Sequence, residues 1–315
     1  MSAPGRGSRR LGALAALGVG ALAYAHVETK LFTTRHVTVP VLPAGARDVR
    51  VLHVSDLHLV PTQRRKIAWI RSLADLAPDL VIDTGDNMAH LEALDPLLDA
   101  LEPLLSTPGV FVMGSNDYYA PVPKNPARYL LPDARIAAPS PPRELPAADL
   151  AAAMRGAGWL DLTNRRDVLD VAGVRLDLVG VDDPHLDRDV FPAPEAPASE
   201  TSKTSERADL RVGVTHAPYR RVLDAMHADG SDMIVAGHTH GGQLCVPGFG
   251  ALVTNCDLDR RRAKGLHGWP GRRPDEEGGA ASSWLHVSAG AGTSPYAPFR
   301  FACRPEATLL TLTAR

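Results

Sequence analysis

The sequence predicts an α/β fold, an open sheet with polar groups gathered at its strand ends. Three observations carry this. Five short apolar runs, in "DVRVLHVSDLHL", "DLVIDTGDN", "VFVMGSNDYYAP", "LRVGVTHAP" and "DMIVAGHTHGGQL", each stop abruptly at Gly, Asp, Asn or His. Between them apolar residues return at helical spacing, so strands alternate with helices. Each strand sheds its polar residues at its carboxyl end, where open α/β sheets bind ligands.

The elements follow in order. Arg6, Arg9 and Arg10 precede a charge-free run from Leu11 to Ala25, fifteen residues long. A bilayer span needs roughly 20. The run suits a signal-peptide core, and Ala23-Tyr24-Ala25 has the small-x-small form of a cleavage site. Ser8-Arg9-Arg10 has the look of a twin-arginine signal. Cleaved signal and uncleaved anchor both remain open, and both place the rest of the chain on or beyond a membrane. The alternative is an apolar helix docked on the domain. Residues 1–30 are set apart on this basis, and 31–315 form a single domain with its motif-bearing core at 48–315.

Val49, Val51 and Val54 mark the first buried strand. Ile67, Ile70, Leu73, Ala74 and Ala77 give a helix within 63–77. A second strand ends in Gly85-Asp86, a second helix falls within 90–105, and Pro108-Gly109 closes it. Val110–Met113 is the third strand. Residues 137–147 are Pro-rich and read as a surface excursion; Ala148–Arg155 is a short helix. "VLDVAGVRLDLVGVDD" alternates about Ala172-Gly173, a hairpin signature. Residues 191–207 read as a polar loop. The two strands ending in histidines flank a helix over 219–228 that Gly230 closes. "GWPGRRPDEEGGAASS" reads as an exposed loop, and "WLHVSAGAG" and "EATLLTLTA" as closing strands.

The chain has 315 residues, 44% of them hydrophobic, enough to bury a sizeable core. A net charge of −2 without a basic tract argues against nucleic acid as a partner. Cys245, Cys256 and Cys303 are too few and too scattered for a disulfide framework.

The strand ends deliver Asp56-x-His58, Gly85-Asp86, Asn116-Asp117, His216 and His238-x-His240. Carboxylate and amide oxygens mixed with imidazole, and no thiolate, suit Mn, Fe or Zn ions rather than a Cys-rich structural zinc. Seven such donors are too many for one catalytic ion with open positions, and suit two ions sharing a bridge. On a strand running into a loop, residues i and i+2 project to one side, so each x-spaced pair can converge. Gly85, Gly114 and Gly237 leave room for sharp turns beside the ligands.

In this order, "SDLH", "TGDN", "GSND", "VTHAP" and "GHTHGG" resemble the motifs of the calcineurin-like metallophosphoesterase superfamily. The extended "AGHTHGGQLCVP", the closing "FRFACRPEATLLTL" and the N-terminal segment resemble its membrane-associated or secreted bacterial branch, the YkuE-like or YaeI-like phosphodiesterases. The resemblance implies a four-layer α/β/β/α sandwich of two mixed sheets flanked by helices. It implies two divalent metal ions, one held by Asp56, His58 and His240, the other by Asn116, His216 and His238, with Asp86 bridging. It further implies hydrolysis of a phosphodiester or pyrophosphate by a metal-bridging hydroxide. A lipid-linked or cell-wall phosphoester substrate is expected from the N-terminal segment.

"GSND" departs from the family's G-N-H. Without a gap, Ser115 takes the Asn position and Asn116 the His position. With a one-residue shift, Asn116 keeps the ligand role and Asp117 replaces the histidine; the shift is favoured because an amide oxygen is the better neutral ligand. Asp117 beside two cations would stay ionised and donate a proton poorly, so His185 in "VDDPH" is a substitute candidate. Asp182 and Asp183 read as turn residues, Arg300 as a structural salt-bridge partner, and His53 and His286 as core or edge residues. Tyr118 and Tyr119 either line a cleft or simply pack. Two rivals stand: a metal-dependent amidohydrolase, which would want His-x-His where Asp56-x-His58 stands, and a metal-binding, surface-tethered protein without turnover.

Overall fold

The computed structural model describes residues 6–123, 143–193 and 208–315, with side chains from residue 16 onward. Most of the Pro-rich excursion and of the polar loop, and the arginines of the N-terminal segment, lie outside the described side chains. The elements run α1 (Arg6–Glu28), β1 (Thr33–Leu42), β2 (Val49–Val54), α2 (Arg64–Ser72), β3 (Leu80–Asp83), α3 (Leu94–Leu101), β4 (Gly109–Phe111), the single turn α4 (Ser115–Tyr118), and α5 (Ala147–Gly156). They continue as β5 (Leu160–Asp161), β6 (Arg165–Val171), β7 (Val174–Gly180), β8 (Leu210–Thr215), α6 (Arg220–Ala228), β9 (Met233–Ala236), β10 (Cys245–Val246), β11 (Gly250–Ala251), β12 (Gly265–Trp269), β13 (Ser283–Val287) and β14 (Glu306–Ala314).

Two six-stranded sheets form, ordered β1-β14-β2-β3-β4-β5 and β12-β13-β9-β8-β7-β6. The single open sheet expected from periodicity is therefore corrected to two mixed sheets. β2, β3, β4 and β5 are parallel, and β14 joins β2 antiparallel. In the second sheet β13, β9, β8 and β7 are parallel, with antiparallel β12 and β6 at the edges. β1 was not anticipated. It pairs in parallel with β14, from the far end of the sequence, a contact no local pattern encodes.

Side-chain alternation builds the layers. Val51, Leu80, Ile82, Val110 and Val112 share one buried cluster with Leu176, Val212, Val214, Val235 and Trp284, between the sheets. Their sequence neighbours Leu52, Val81 and Phe111 point the other way, onto Ile70 of α2, Leu97 and Leu101 of α3, and Met154 of α5. On the far face Ile234, Leu285 and Val287 meet Val222, Leu223 and Met226 of α6. Period-two alternation with both faces covered explains why these strands read as unbroken apolar runs. The result is the four-layer α/β/β/α sandwich.

Local differences have local causes. The helix over 63–77 relaxes to a 3₁₀ turn at Leu73–Leu76 and stops at left-handed Ala77, ahead of Pro78. Ala172 and Gly173 both take positive φ, 53° and 83°, as a tight hairpin requires. The "GWPGRR" loop begins as β12, with Trp269 buried against α6. His53 and His286 are core residues, joined across the two sheets by an Nδ1–Nδ1 contact of 2.9 Å. The three cysteines are free, but Cys245 and Cys303 meet, each near the Gly241 carbonyl, at 3.2 and 3.5 Å.

Candidate metal centre

The carboxyl ends of β2, β3 and β4 in one sheet and of β7, β8, β9 and β13 in the other meet at one rim. Main-chain bonds lock them there: Asp56 N–H to Gly85 O at 2.8 Å, Gly237 N–H to His216 O at 2.9 Å, and Ala291 N–H to Ser55 O at 3.0 Å. Two groups of side chains converge, each with donor atoms within 4.8 Å of one another: Asp56, His58 and His240, and Asp56, Asp86 and His216. Asp56 is common to both, and Asp86 of the second also reaches the first, Oδ2 being 3.3 Å from His58 Nε2 and Oδ1 3.5 Å from His216 Nε2. His238 Nδ1 stands 3.3 Å from His216 Nε2.

Convergence of the x-spaced pairs has a different origin from the one periodicity suggested. The residues lie beyond their strands, and Asp56, His58, Asp86, His238 and His240 all have left-handed φ, between 39° and 67°. Side chains other than glycine occupy that region at a cost of roughly 1–3 kcal/mol each when strained, which the surrounding structure must hold in place. The glycines make the room. A Cβ at Gly114 would sit 2.4 Å from Asp86 Oδ1, and one at Gly237 would sit 1.9 Å from Ser55 Oγ.

Each of three imidazoles is oriented by a main-chain carbonyl, which can only accept. His216 Nδ1 donates to Thr84 O at 2.7 Å, His240 Nδ1 to Gly292 O at 3.1 Å, and His238 Nε2 to Asn255 O at 3.1 Å. The opposite nitrogen of each faces the cluster, the arrangement that outer contacts impose on metal-binding histidines. Asp56 is split similarly. Oδ2 accepts from Ser55 Oγ at 2.6 Å and His238 N–H at 2.9 Å, whereas buried Oδ1, 3.6 Å from His240 Nε2, has no hydrogen-bond partner among the described residues. Buried His58 Nδ1 also has no hydrogen-bond partner. A buried carboxylate oxygen without a hydrogen bond, neighbouring imidazole nitrogens and a hard O/N donor set fit divalent cations.

A directed chain of hydrogen bonds runs into Asp56. The carboxylate only accepts, so Ser55 donates to it and must itself accept from Thr84 Oγ1 at 2.7 Å. Thr84 then accepts from His53 Nε2 at 3.0 Å. Burial holds His53 well below its ordinary pKa, so the ring is neutral. Its Nδ1 is therefore an acceptor for His286 Nδ1–H.

Electrostatics follow from burial. Desolvation pushes Asp86 up to about 7, against the pull of His216. Burial disfavours the charged form of His216, but Asp86, Asp183 and Asp56 outweigh it and raise the group to about 9. His58 and His240 are held well below the usual histidine range, chiefly by burial.

Asn116 reaches the site through its main chain: its N–H donates to Asp86 Oδ1 at 2.7 Å, and Ser115 Oγ lies 3.4 Å from the same oxygen. The Asn116 side-chain NH₂ donates to Tyr119 O at 2.9 Å. Asp117 as a proton donor is corrected. It is fully buried, with Oδ2 accepting the N–H groups of Asp86 and Gly114 and Oδ1 that of Asn87, each at 2.9 Å. Those bonds tie the Gly85 turn to the Gly114 turn, and burial raises the carboxyl above its ordinary value. Its oxygen reaches back to the N–H of Gly114 three residues earlier, but with glycine rather than Ser or Thr at the cap the sequence carries no capping-box signature for this role.

His185 lies at the site, its ring 4.6 Å from that of His238 and its Nδ1 3.0 Å from Tyr219 Oη. Tyr118 Oη donates to Asp182 at 2.8 Å and its ring carries the Arg188 guanidinium at 4.1 Å. Among the described residues Arg300 has no carboxylate partner: fully buried, it donates to the carbonyls of Ala289, Gly292 and Cys303 behind His240. Two groups, Asp83 and Lys66, escaped sequence reasoning, whereas Asp183, read as a turn residue, caps the turn at Pro184–Leu186 by accepting the His185 N–H at 2.9 Å. Asp83 and Asp183 are buried at the rim and pushed by desolvation to about 7. Lys66 donates to Leu57 O at 2.7 Å, and burial lowers its amine to about 7.

Comparison with known proteins agrees with this geometry. The family model described as calcineurin-like phosphoesterase matches residues 49–242, a span that contains every predicted ligand. An uncharacterized metallophosphoesterase of Aquifex aeolicus (strain VF5) is 25% identical over 302 residues, 92% of this chain and 95% of that protein. Phosphodiesterase YaeI of Escherichia coli (strain K12) is 25% identical over 274 residues, 85% of this chain and 83% of that one. Among solved structures, the 5'-nucleotidase precursor of Thermus thermophilus aligns with 84% of this chain at a TM-score of 0.43 and 16% identity; the alignment spans 55% of that protein.

Proposed function

The chain belongs to the calcineurin-like phosphoesterase family of metal-dependent phosphoric ester hydrolases, and from that premise we propose a dinuclear hydrolase of phosphodiester or pyrophosphate bonds. One cation would be held by Asp56, His58 and His240 and the other by His216 and His238, with Asp86 between them; Asn116, expected as a ligand, instead gives its main-chain N–H to Asp86 and its side-chain amide to Tyr119 O. The observation that carries this is the pair of donor groups, Asp56 with His58 and His240 and Asp56 with Asp86 and His216, each with its atoms within 4.8 Å of one another, with His238 Nδ1 3.3 Å from His216 Nε2. Two divalent cations at such a site supply Lewis-acid activation of water and neutralise charge on the phosphoryl oxygens.

The chain's own residues do the rest. Asp86 sets the spacing of the two imidazole groups, and main-chain carbonyls fix each imidazole before substrate arrives. His185, half-buried beside His238, is placed to protonate the leaving oxygen in the absence of the family's motif histidine. Arg188 over Tyr118 is placed to orient an anionic substituent. Diester preference is supported by the similarity to a phosphodiesterase. A seat at the membrane through residues 1–30, with a lipid-linked or cell-wall phosphoester as substrate, is supported by the apolar, exposed character of α1 over residues 16–24.

The test compares the protein with Asp86→Ala and His185→Ala on an aryl phosphodiester in added Mn²⁺, with elemental analysis alongside. Asp86→Ala is expected to lose metal and turnover together, and His185→Ala to keep metal with turnover reduced on poor leaving groups. A metal-replete parent without phosphoester turnover would refute the reading and favour a metal-binding protein.

A further inference from the structure

Exposed apolar side chains are not scattered over this molecule. Of the large apolar side chains exposed among the described residues, five lie on α1, four on the β10–β11 hairpin and two on the loop before β14; only Leu91, Val168 and Val190 lie elsewhere. The three segments touch. Leu244 bridges to Phe301, and Gln243 Nε2 donates to Ala297 O at 2.9 Å. Phe301 packs edge-on against Tyr24 of α1 at 5.7 Å, and Arg300 N–H donates to Ala25 O at 2.9 Å. Glu28 at the end of α1 accepts the N–H groups of Ala302 and Cys303, at 3.0 and 2.7 Å. Helix, loop and hairpin adjoin, and together they carry eleven of the fourteen exposed large apolar side chains among the described residues, more than scattered surface residues would place together.

Charge borders that face. Arg260 lies 3.9 Å over the ring of Phe249, whose side chain at the hairpin is 54% exposed. Arg261 is exposed beside it and Lys264 is partly so; with Arg262 these four cations outnumber the neighbouring Asp257 and Asp259. Aromatic and aliphatic side chains beside arginines suit the interface of an anionic bilayer, where apolar groups enter the headgroup region and cations meet phosphate. Length makes the same point. The charge-free run of α1 is fifteen residues, short of the roughly 20 that span a bilayer, and no helix among the described residues is long and apolar enough to cross a membrane. Stable seating therefore needs a second element.

We infer that the hairpin Leu244–Leu252, with the loop carrying Tyr296 and Phe299, is that second element: a surface that seats the domain on an anionic lipid bilayer beside α1. The hairpin leaves His240 and returns at Asn255, whose carbonyl orients His238. Seating it holds the metal centre at headgroup depth. The inference rests on the membrane location proposed above and deepens it, independently of the hydrolytic reading.

The test uses the full chain on phosphatidylcholine vesicles with and without phosphatidylglycerol. Phe249→Trp is expected to give an emission component, relative to the parent, that is quenched by acyl-brominated lipid. Phe249→Asp with Leu252→Asp is expected to weaken partitioning at least about tenfold, and Arg260→Ala with Arg261→Ala about fivefold per arginine on anionic vesicles only. Turnover of a soluble aryl phosphodiester is expected to be unchanged in all of them, and its absence in the parent would count against the hydrolase, not against this surface. Three results overturn the inference: no vesicle binding by the parent; binding with the introduced indole unquenched, because α1 alone then seats the chain; or concentration-dependent dimers that bury the indole without lipid.

Discussion

Gly237→Ala tests how the metal centre is held. Gly237 has no unusual backbone, so the perturbation is purely steric. The added methyl would lie 1.9 Å from Ser55 Oγ, 2.7 Å from Asp56 Oδ2 and 2.9 Å from Thr84 Oγ1. None of these is the far end of a flexible side chain. Ser55 must move, which breaks its 2.6 Å bond to Asp56 and the 2.7 Å bond it accepts from Thr84. Overpacking costs about 1–3 kcal/mol, and loss of a hydrogen bond to a charged group about 1.5–3 kcal/mol. A destabilisation of roughly 3–5 kcal/mol is expected, a large share of a domain's total, read by urea unfolding of the metal-free protein. With Asp56 released, cation affinity is expected to fall about 10–100-fold, as when other outer contacts of a metal ligand are lost.

Ser55→Ala supplies the control. It removes the atom the methyl would strike, so Gly237→Ala should cost only about 1–2 kcal/mol in that background, a coupling well above the scatter of independent sites. If Gly237→Ala costs the same in both backgrounds, or leaves stability and metal affinity unchanged, the hydrogen-bond chain does not hold Asp56 and the reasoning fails.

Two further predictions follow from the same geometry. Cation affinity should rise with pH: Asp86, raised to about 7, must be ionised to bind, and His216, raised to about 9, must lose its proton. Binding therefore releases protons, affinity climbs through both values by at most about tenfold per unit for each proton and levels off above the higher; calorimetry in buffers of different ionisation enthalpy checks this, and affinity flat from about pH 6 to 9 refutes it. Asp117→Asn should destabilise by roughly 2–4 kcal/mol, since an amide cannot accept all three main-chain N–H groups. Turnover per bound metal should nonetheless be unchanged, and a folded, metal-replete variant with a large loss of kcat would restore Asp117 as an acid.

Several features were determined by sequence alone. The alternation of apolar runs and helices set the α/β class, because it reflects contacts within a few residues or a strand's own two faces. The D-x-H, G-D and H-x-H patterns named the residues that gather at the rim, because ligand chemistry is carried by residue type. What tertiary structure alone decided depends on partners far away in the chain. β1 exists as a strand because β14 lies beside it. The apolar pattern could not say whether its strands shared one sheet or two, since a strand buried by helices and one buried by a second sheet read alike. Asp117 and Asp86 are the same residue type and differ in what faces them: three main-chain N–H groups in one case, two imidazoles and one main-chain N–H in the other. Which nitrogen of His216, His238 or His240 faces the cluster is set by the carbonyls of Thr84, Asn255 and Gly292, and those positions follow from the folded backbone rather than from any spacing of residues.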